Sequence, residues 1–227
     1  MVNYNLEQQA ILLFIEITKD VTEYKSLDNF IKIKHGYAFK GDYITTEDNS
    51  IVLVTPGNFR IGGGFKEDKC KFFSSEYPND YVLNPNSLIV TMTDLSKDAD
   101  TLGYSALTPS YSDRTYLHNQ RIGLVEFINE QLPKSYVYWF MRSYKYHMNI
   151  VGSASGSTVK HTSPRRILEQ KIPIPNKSVL DENSSVLKSI DEIISKNNAE
   201  NIYLHNLRDT ILPKLMSGEV DVLKFNF

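Results

Sequence analysis

From Val186 to Ile211, the positions Val186, Ile190, Ile193, Asn197, Glu200, Leu204, Leu207 and Ile211 follow one another at alternating spacings of four and three. Such a heptad seam predicts one long helix packed along another. Two members, Asn197 and Glu200, are polar and lie in the middle. A buried Asn at such a position costs stability but fixes register and partner number. Pro213 predicts the helix end near Ile211 and Leu212, because proline disfavours helix in the residue before it, and Gly218 marks a turn beyond. Two uses of this helix are open. It lies on its own domain's core, or it is a spacer and dimerisation helix with Ile190, Ile193, Asn197, Leu204, Leu207 and Ile211 at the contact.

Residues 5–17 predict a second, shorter helix with Leu6, Ala10, Leu13 and Ile17 on one stripe. Ile11, Leu12, Phe14 and Ile15 widen the stripe, so burial on more than one side is expected, with the long helix as the obvious partner. Residues 19–26 are polar and read as a connection. From Leu27 the texture changes to short β-rich runs: 30–33, 51–54, 87–92 and 121–127. Gly36, Gly41, Pro56-Gly57, the glycines at 62–64 and Asn84-Pro85-Asn86 punctuate them. The spacing is irregular and the loops are long. The pattern predicts an α+β chain, with a curled, mostly antiparallel sheet rather than a simple sandwich. Residues 133–148 predict one helix with Val137, Phe140, Met141, Tyr144 and Met148 buried. A polar loop follows at 152–160. Ser163-Pro164 opens a short capped helix through Leu168, and 172–175 is extended.

Composition narrows the class. Hydrophobic content of 41% and charged content of 23% are those of an ordinary globular chain. No apolar run approaches the roughly 18 residues of a membrane helix, and the start lacks the features of a secretory signal. A single cysteine, Cys70, excludes an internal disulfide. A cytoplasmic protein is the expectation. Net charge is −2, but residues 131–171 hold seven basic residues and one acid, so this stretch carries +6 and the remainder −8. That asymmetry predicts a local anion-binding face.

Catalytic and metal chemistry find little footing. The loop from Gly152 to Ser157 lacks the lysine that a phosphate loop places after its last glycine, and 62–64 lacks the dinucleotide spacing. The five histidines, 35, 118, 147, 161 and 205, show no metal-ligand spacing. No nucleophile elbow is present. No catalytic residue, metal or cofactor is expected. The basic stretch suits DNA better. Ser153, Ser155, Ser157 and Thr158 offer short donors, and Lys160, Arg165 and Arg166 add charge toward phosphates. Asn119, Gln120 and Arg121, at a strand entry, are the best base-reading cluster, because Arg suits guanine and Asn or Gln suits adenine. Lys40, Arg60 and Thr93 are expected on a surface that meets either DNA or a partner subunit.

Several of these pieces together resemble the specificity subunit of type I restriction–modification systems. They are Lys34-His-Gly-Tyr-Ala-Phe-Lys40, Asn119-Gln-Arg121, Ser155-Gly-Ser-Thr-Val-Lys160, Ser163-Pro164 to Ile167, Ile172-Pro-Ile-Pro175, and the run from Leu207 to Glu219. Asn5 to Ala10 resembles the segment after the first central helix of full-length members. The resemblance implies three parts: 1–24, an N-terminal helical segment; 25–175, a target-recognition domain; and 176–227, a coiled-coil-type helix with its tail. It implies a non-catalytic reader of double-stranded DNA. Methyltransferase subunits, which bring the S-adenosylmethionine, bind around it, and a restriction subunit can join them. Full-length members carry two recognition domains on antiparallel helices that set the gap between half-sites. This chain has one of each, so two copies are expected to pair through the seam. The competing expectations are a small DNA methyltransferase, for which no catalytic motif is present, and a helical scaffold whose β-rich domain binds protein.

Overall fold

The structure is a computed structural model and describes residues 2–68, 70–96 and 98–219. It is α+β. The chain opens with α1 (Val2–Thr18) and β1 (Tyr24–Ser26), then runs through β2 (Ile31–His35), β3 (Ile44–Thr45), β4 (Ile51–Val54), β5 (Lys71–Phe73) and β6 (Val82–Leu83). It continues with β7 (Leu88–Thr91), β8 (Thr93–Asp94), β9 (Ser105–Leu107), β10 (Thr115–His118) and β11 (Ile122–Phe127). The last part holds α2 (Lys134–Phe140), α3 (Tyr144–Gly152), β12 (Lys160–His161), α4 (Pro164–Leu168), β13 (Lys171–Pro173) and α5 (Lys177–Met216).

Two sheets stack. One has the order β2-β11-β7-β9 and is antiparallel throughout; the other is β3-β5-β4-β10-β6, with β4 and β10 its parallel pair. The apolar run at 87–92 explains itself here. Leu88 and Val90 face the helices while Ile89 faces the second sheet, so both faces of β7 are buried and alternation disappears. Likewise Val52 and Val54 point between the sheets, and Leu53 points into an outer cluster with Phe39, Phe73 and Leu117. Strands β1 and β13 pair and close the β-rich domain at its base, where the sequence had suggested only a polar connection.

The helices differ from expectation in instructive ways. The single helix expected at 133–148 is two helices, broken at Met141-Arg142-Ser143. Ser143 caps α3 by accepting from Tyr146 N at 3.3 Å, and Arg142 is drawn into the protein. The break resets the helical phase. Tyr146, His147 and Ile150 turn inward, while Tyr144 and Met148 are exposed. Helix α1 buries one face only, through Ala10 and Phe14; Leu12 and Ile15 remain exposed. It runs antiparallel to α5. Asn3 donates to Asn198 Oδ1 at 2.8 Å and accepts from Asn197 Nδ2 at 2.7 Å, while at the other end Ile174 N donates to Glu23 O at 2.8 Å.

Helix α5 has 40 residues, about 60 Å at 1.5 Å per residue. It passes through Pro213, at the cost of one backbone bond, and ends where Gly218 takes φ +76°. Residues 220–227 of the expected tail lie outside the described residues. The helix lies on the domain through Leu180, Leu187, Ile190 and Ile194. That buried face is not the heptad seam. Of the seam positions only Ile190 is buried; Val186, Ile193, Leu204, Leu207 and Ile211 are exposed. From residue 200 to the end of the helix every described residue is exposed.

Asp191 marks where α5 meets α2. Its Oδ1 accepts from Trp139 Nε1 at 3.0 Å. Its Oδ2 is buried with no partner among the described residues, and the residue borders a cleft of about 720 Å³ between α5 and the domain. Burial pushes this carboxyl up from 3.8 to about 7, against the pull of Ser135, Trp139, Arg142 and Lys134. The folded chain therefore holds an extra proton between those two values. The stability this proton brings is full below the lower value and is lost as pH rises through 7. Asp191→Asn keeps the acceptor for Trp139 without the charge. Its lead in stability over the parent is expected to be smallest below about pH 4 and to grow by on the order of 1–3 kcal/mol between pH 5 and pH 8, read from urea titrations at both pH values.

Candidate nucleic-acid interface

Most of the segments that hold the candidate residues, 36–40, 92–94, 119–121 and 155–162, meet along one edge of the domain. The meeting begins at Gly36. A Cβ there would lie 2.2 Å from Asn119 O and 2.5 Å from His118 O, so only glycine lets these two backbones touch. Tyr37 N then donates to His118 O at 2.8 Å, and Gln120 N donates to Tyr37 O at 2.9 Å. The turn at 119–121 is closed from within. Asn119 Oδ1 accepts from Arg121 N at 3.0 Å, and Ile122 N donates to Asn119 O at 3.0 Å. His118 Nε2 lies 2.8 Å from Ile122 O. Burial holds the ring near pKa 4, so it is neutral at pH 7 and Nε2 carries the proton it donates. Gln120 and Arg121 are left exposed at the tip.

The edge continues. Met92 N donates to Arg121 O at 2.9 Å, and Thr162 N donates to Met92 O at 3.0 Å. Strand β12 pairs with β8 beside this contact. Residues 155–161 fold back as a tight loop, with Ser155 N donating to His161 O at 3.0 Å and His161 N to Ser155 O at 2.9 Å. Gly156, at φ +94°, permits this because a Cβ would sit 2.0 Å from Val159 O. Ser155, Ser157 and Thr158 are exposed on the loop, and Lys160 is half-buried at its base. Nearby, Asp94 accepts from Ser96 N, Thr101 N and Thr101 Oγ1, each at 2.6 Å. Burial works to raise this carboxyl, but the bonds from Thr101 and Ser96 prevail and hold it below the ordinary carboxylate value.

The structure sorts the candidate residues. Gln120, Arg121, Ser155, Ser157, Thr158 and Lys160 share the edge. Lys40 is exposed a few residues beyond Tyr37, and Arg165 is exposed on α4 beside Glu169, 2.7 Å from its carboxylate. Asn119 is buried and spends its side-chain oxygen on its own turn. Thr93 is buried with its hydroxyl 3.1 Å from His161 Nδ1. Arg60 lies elsewhere, on the glycine loop, 2.9 Å from Glu7 of α1. The basic stretch at 131–171 is not one face either: Arg142 is buried and Lys134 Nζ donates to Asn86 O at 2.9 Å. Three edge neighbours were missed from sequence: Lys34, Tyr37 and Tyr81. The signal for the first two was their place in the run around Gly36.

Comparison with known proteins decides the family. The model of the type I restriction modification DNA specificity domain matches residues 19–204. The chain belongs to this family. Its fold is that of solved specificity subunits. It resembles the type I restriction-modification system S subunit from M. genitalium at 18% identity and TM-score 0.57, over 87% of this chain and 46% of that one. It resembles the HsdS subunit from Thermoanaerobacter tengcongensis at 11% identity and TM-score 0.52, over 96% and 52%. A third match, at 11% identity and TM-score 0.53, comes from a structure titled for complex assembly and conformational transition of the type I R-M system, over 94% and 53%. The chain thus spans about half the length of the structures it matches. No curated protein sequence matches it. As a specificity-domain chain it has no helix, among the described residues, long and apolar enough to cross a membrane.

Arg60 separates structural from DNA-facing charge. Arg60→Ala is expected to lower folding stability by about 1–2 kcal/mol through the lost Glu7 bond. The loss is read from urea titrations of the parent and the variant.

Proposed function

We propose that this chain is the non-catalytic DNA-reading subunit of a type I restriction–modification complex and directs methyltransferase subunits to a two-part site. The observation that carries this is the continuous edge at 36–40, 92–94, 119–121 and 155–162, inside the segment that matches the specificity domain. Exposed Gln120 and Arg121 are suited to base edges. The hydroxyls of Ser155, Ser157 and Thr158, with Lys160, Lys40 and Arg165, are suited to the backbone. The near-neutral chain leaves much of the phosphate contact to the methyltransferase subunit, and the S-adenosylmethionine arrives with that subunit. The expected outcome is weak DNA binding alone and tight, salt-sensitive binding in complex. Adenine methylation at a two-part motif should vanish when the chain is deleted. Unchanged methylation after deletion sinks the proposal.

Two copies supply the second half-site in this reading. The exposed seam positions Val186, Ile193, Leu204, Leu207 and Ile211 support it. The seam reads the same from both ends about the midpoint between Asn198 and Ala199. In an antiparallel pair, Val186 meets Ile211 of the second copy, Ile193 meets Leu204, and Asn197 meets Glu200. A parallel pair would instead set Glu200 against Glu200. Leu204 is exposed in the single chain, so Leu204→Glu should keep the fold's melting temperature and reduce the light-scattering mass from two chains to one. A parent protein that already measures one chain at working concentration counts against pairing.

A further inference from the structure

Tyr37 is an exposed aromatic that the fold holds still. The residue is 43% exposed. Phe39 braces it edge-on at 5.1 Å and Tyr81 leans on it at 5.2 Å. Phe39 is buried and is itself braced by Phe73 at 4.9 Å, so the contacts run from the surface into the outer apolar cluster. The Lys34 ammonium sits 5.3 Å from the Tyr81 ring centre and donates to Asp80 O at 2.9 Å, which fixes a positive charge beside the patch. The Tyr37 backbone, between His118 and Gln120, belongs to the edge described above.

An exposed ring with a fixed rotamer loses little entropy when something packs on it, which is the economy that recognition surfaces use. Its setting favours an anionic partner: Lys34 flanks it, exposed Lys40 follows in the chain, and exposed Gln120 and Arg121 stand on the adjoining turn. We propose that Tyr37 contacts the recognised DNA, its ring packed against a sugar or base edge next to the base pair that Gln120 reads. This rests on the DNA-reading function proposed above and adds a specificity-determining residue to it.

The test uses the complex with its methyltransferase subunit. Affinity for the methylated motif is measured over a salt series, and the motif itself is mapped by methylation. Tyr37→Ala is expected to weaken specific binding about tenfold with an unchanged salt slope, and to relax preference at one base pair. Tyr37→Leu keeps apolar bulk against Phe39 and Tyr81 and should show the same deficit in a fully folded protein. Tyr37→Phe should bind as the parent does. Lys34→Ala should lower the salt slope by about one. The inference is overturned if Tyr37→Leu leaves affinity and motif unchanged. It is also overturned if the loss traces to weaker binding of the methyltransferase subunit, titrated without DNA. A parent complex with no site-specific binding would instead overturn the functional reading, and this inference with it.

Discussion

A buried guanidinium must be neutralised, and the way Arg142 is neutralised sets the rest of the architecture. An unpaired charge at that depth would cost several kcal/mol. Arg142 lies 3.4 Å from the Glu7 carboxylate of α1, donates to Gly62 O at 2.9 Å, and donates to the Tyr138 hydroxyl at 2.9 Å. Its guanidinium carbon sits 4.5 Å from the Trp139 ring centre. Trp139 in turn donates to Asp191 of α5. One charge thus ties the N-terminal helix, the glycine loop and the start of α3 together, and through Trp139 it reaches the long helix. The glycines at 62–64, all at positive φ, bend the chain around it; at Gly63 a Cβ would lie 2.8 Å from the Arg142 side chain.

This arrangement gives the recognition domain a fixed seat on α5. The helix spends one face on that seat, through Leu180, Leu187, Ile190 and Ile194, and leaves apolar residues such as Ile193, Leu204 and Ile211 exposed. The two uses considered for the helix are therefore not exclusive. Its first half covers the domain's own core, with Ile190 buried there and Asn197 bonded to Asn3, while the seam positions Val186, Ile193, Leu204, Leu207 and Ile211 stay exposed. The contacts that run from Arg142 through Trp139 to Asp191 hold the domain and the rod in one orientation.

Much of the fold was legible in the sequence. The strand at 51–54, the short helix after Ser163 and the α1–α5 partnership follow from apolar spacing and capping chemistry. What escaped was governed by tertiary demands that leave no local pattern. Ser143, as the cap of α3, is the one local sign of the break after Met141, and the pairing of Arg142 with Glu7, far away in sequence, left no local pattern. Arg60 looked like a free cation for the same reason. Asn119 has the right chemistry for adenine, yet the turn it occupies needs an internal acceptor for Arg121 N, and that local demand takes the side chain first. The edge itself was half visible, since sequence named most of its segments but could not join them. Their joints are backbone hydrogen bonds between residues some 30 to 80 positions apart.

That joining separates two jobs. The frame of the edge is built from backbone groups and from buried side chains, with Gly36, His118, Asn119, Thr93 and Gly156 holding the turns. Gln120 and Arg121 contribute backbone to this frame, but their side chains enter no hydrogen bond among the described residues and stand in solvent. A substitution at either tip therefore changes what the edge presents without disturbing how it is built. A substitution at Gly36 or Asn119 does the reverse. What the edge presents can therefore change at its exposed positions while the Arg142 seat, α5 and the backbone-sewn frame stay as they are.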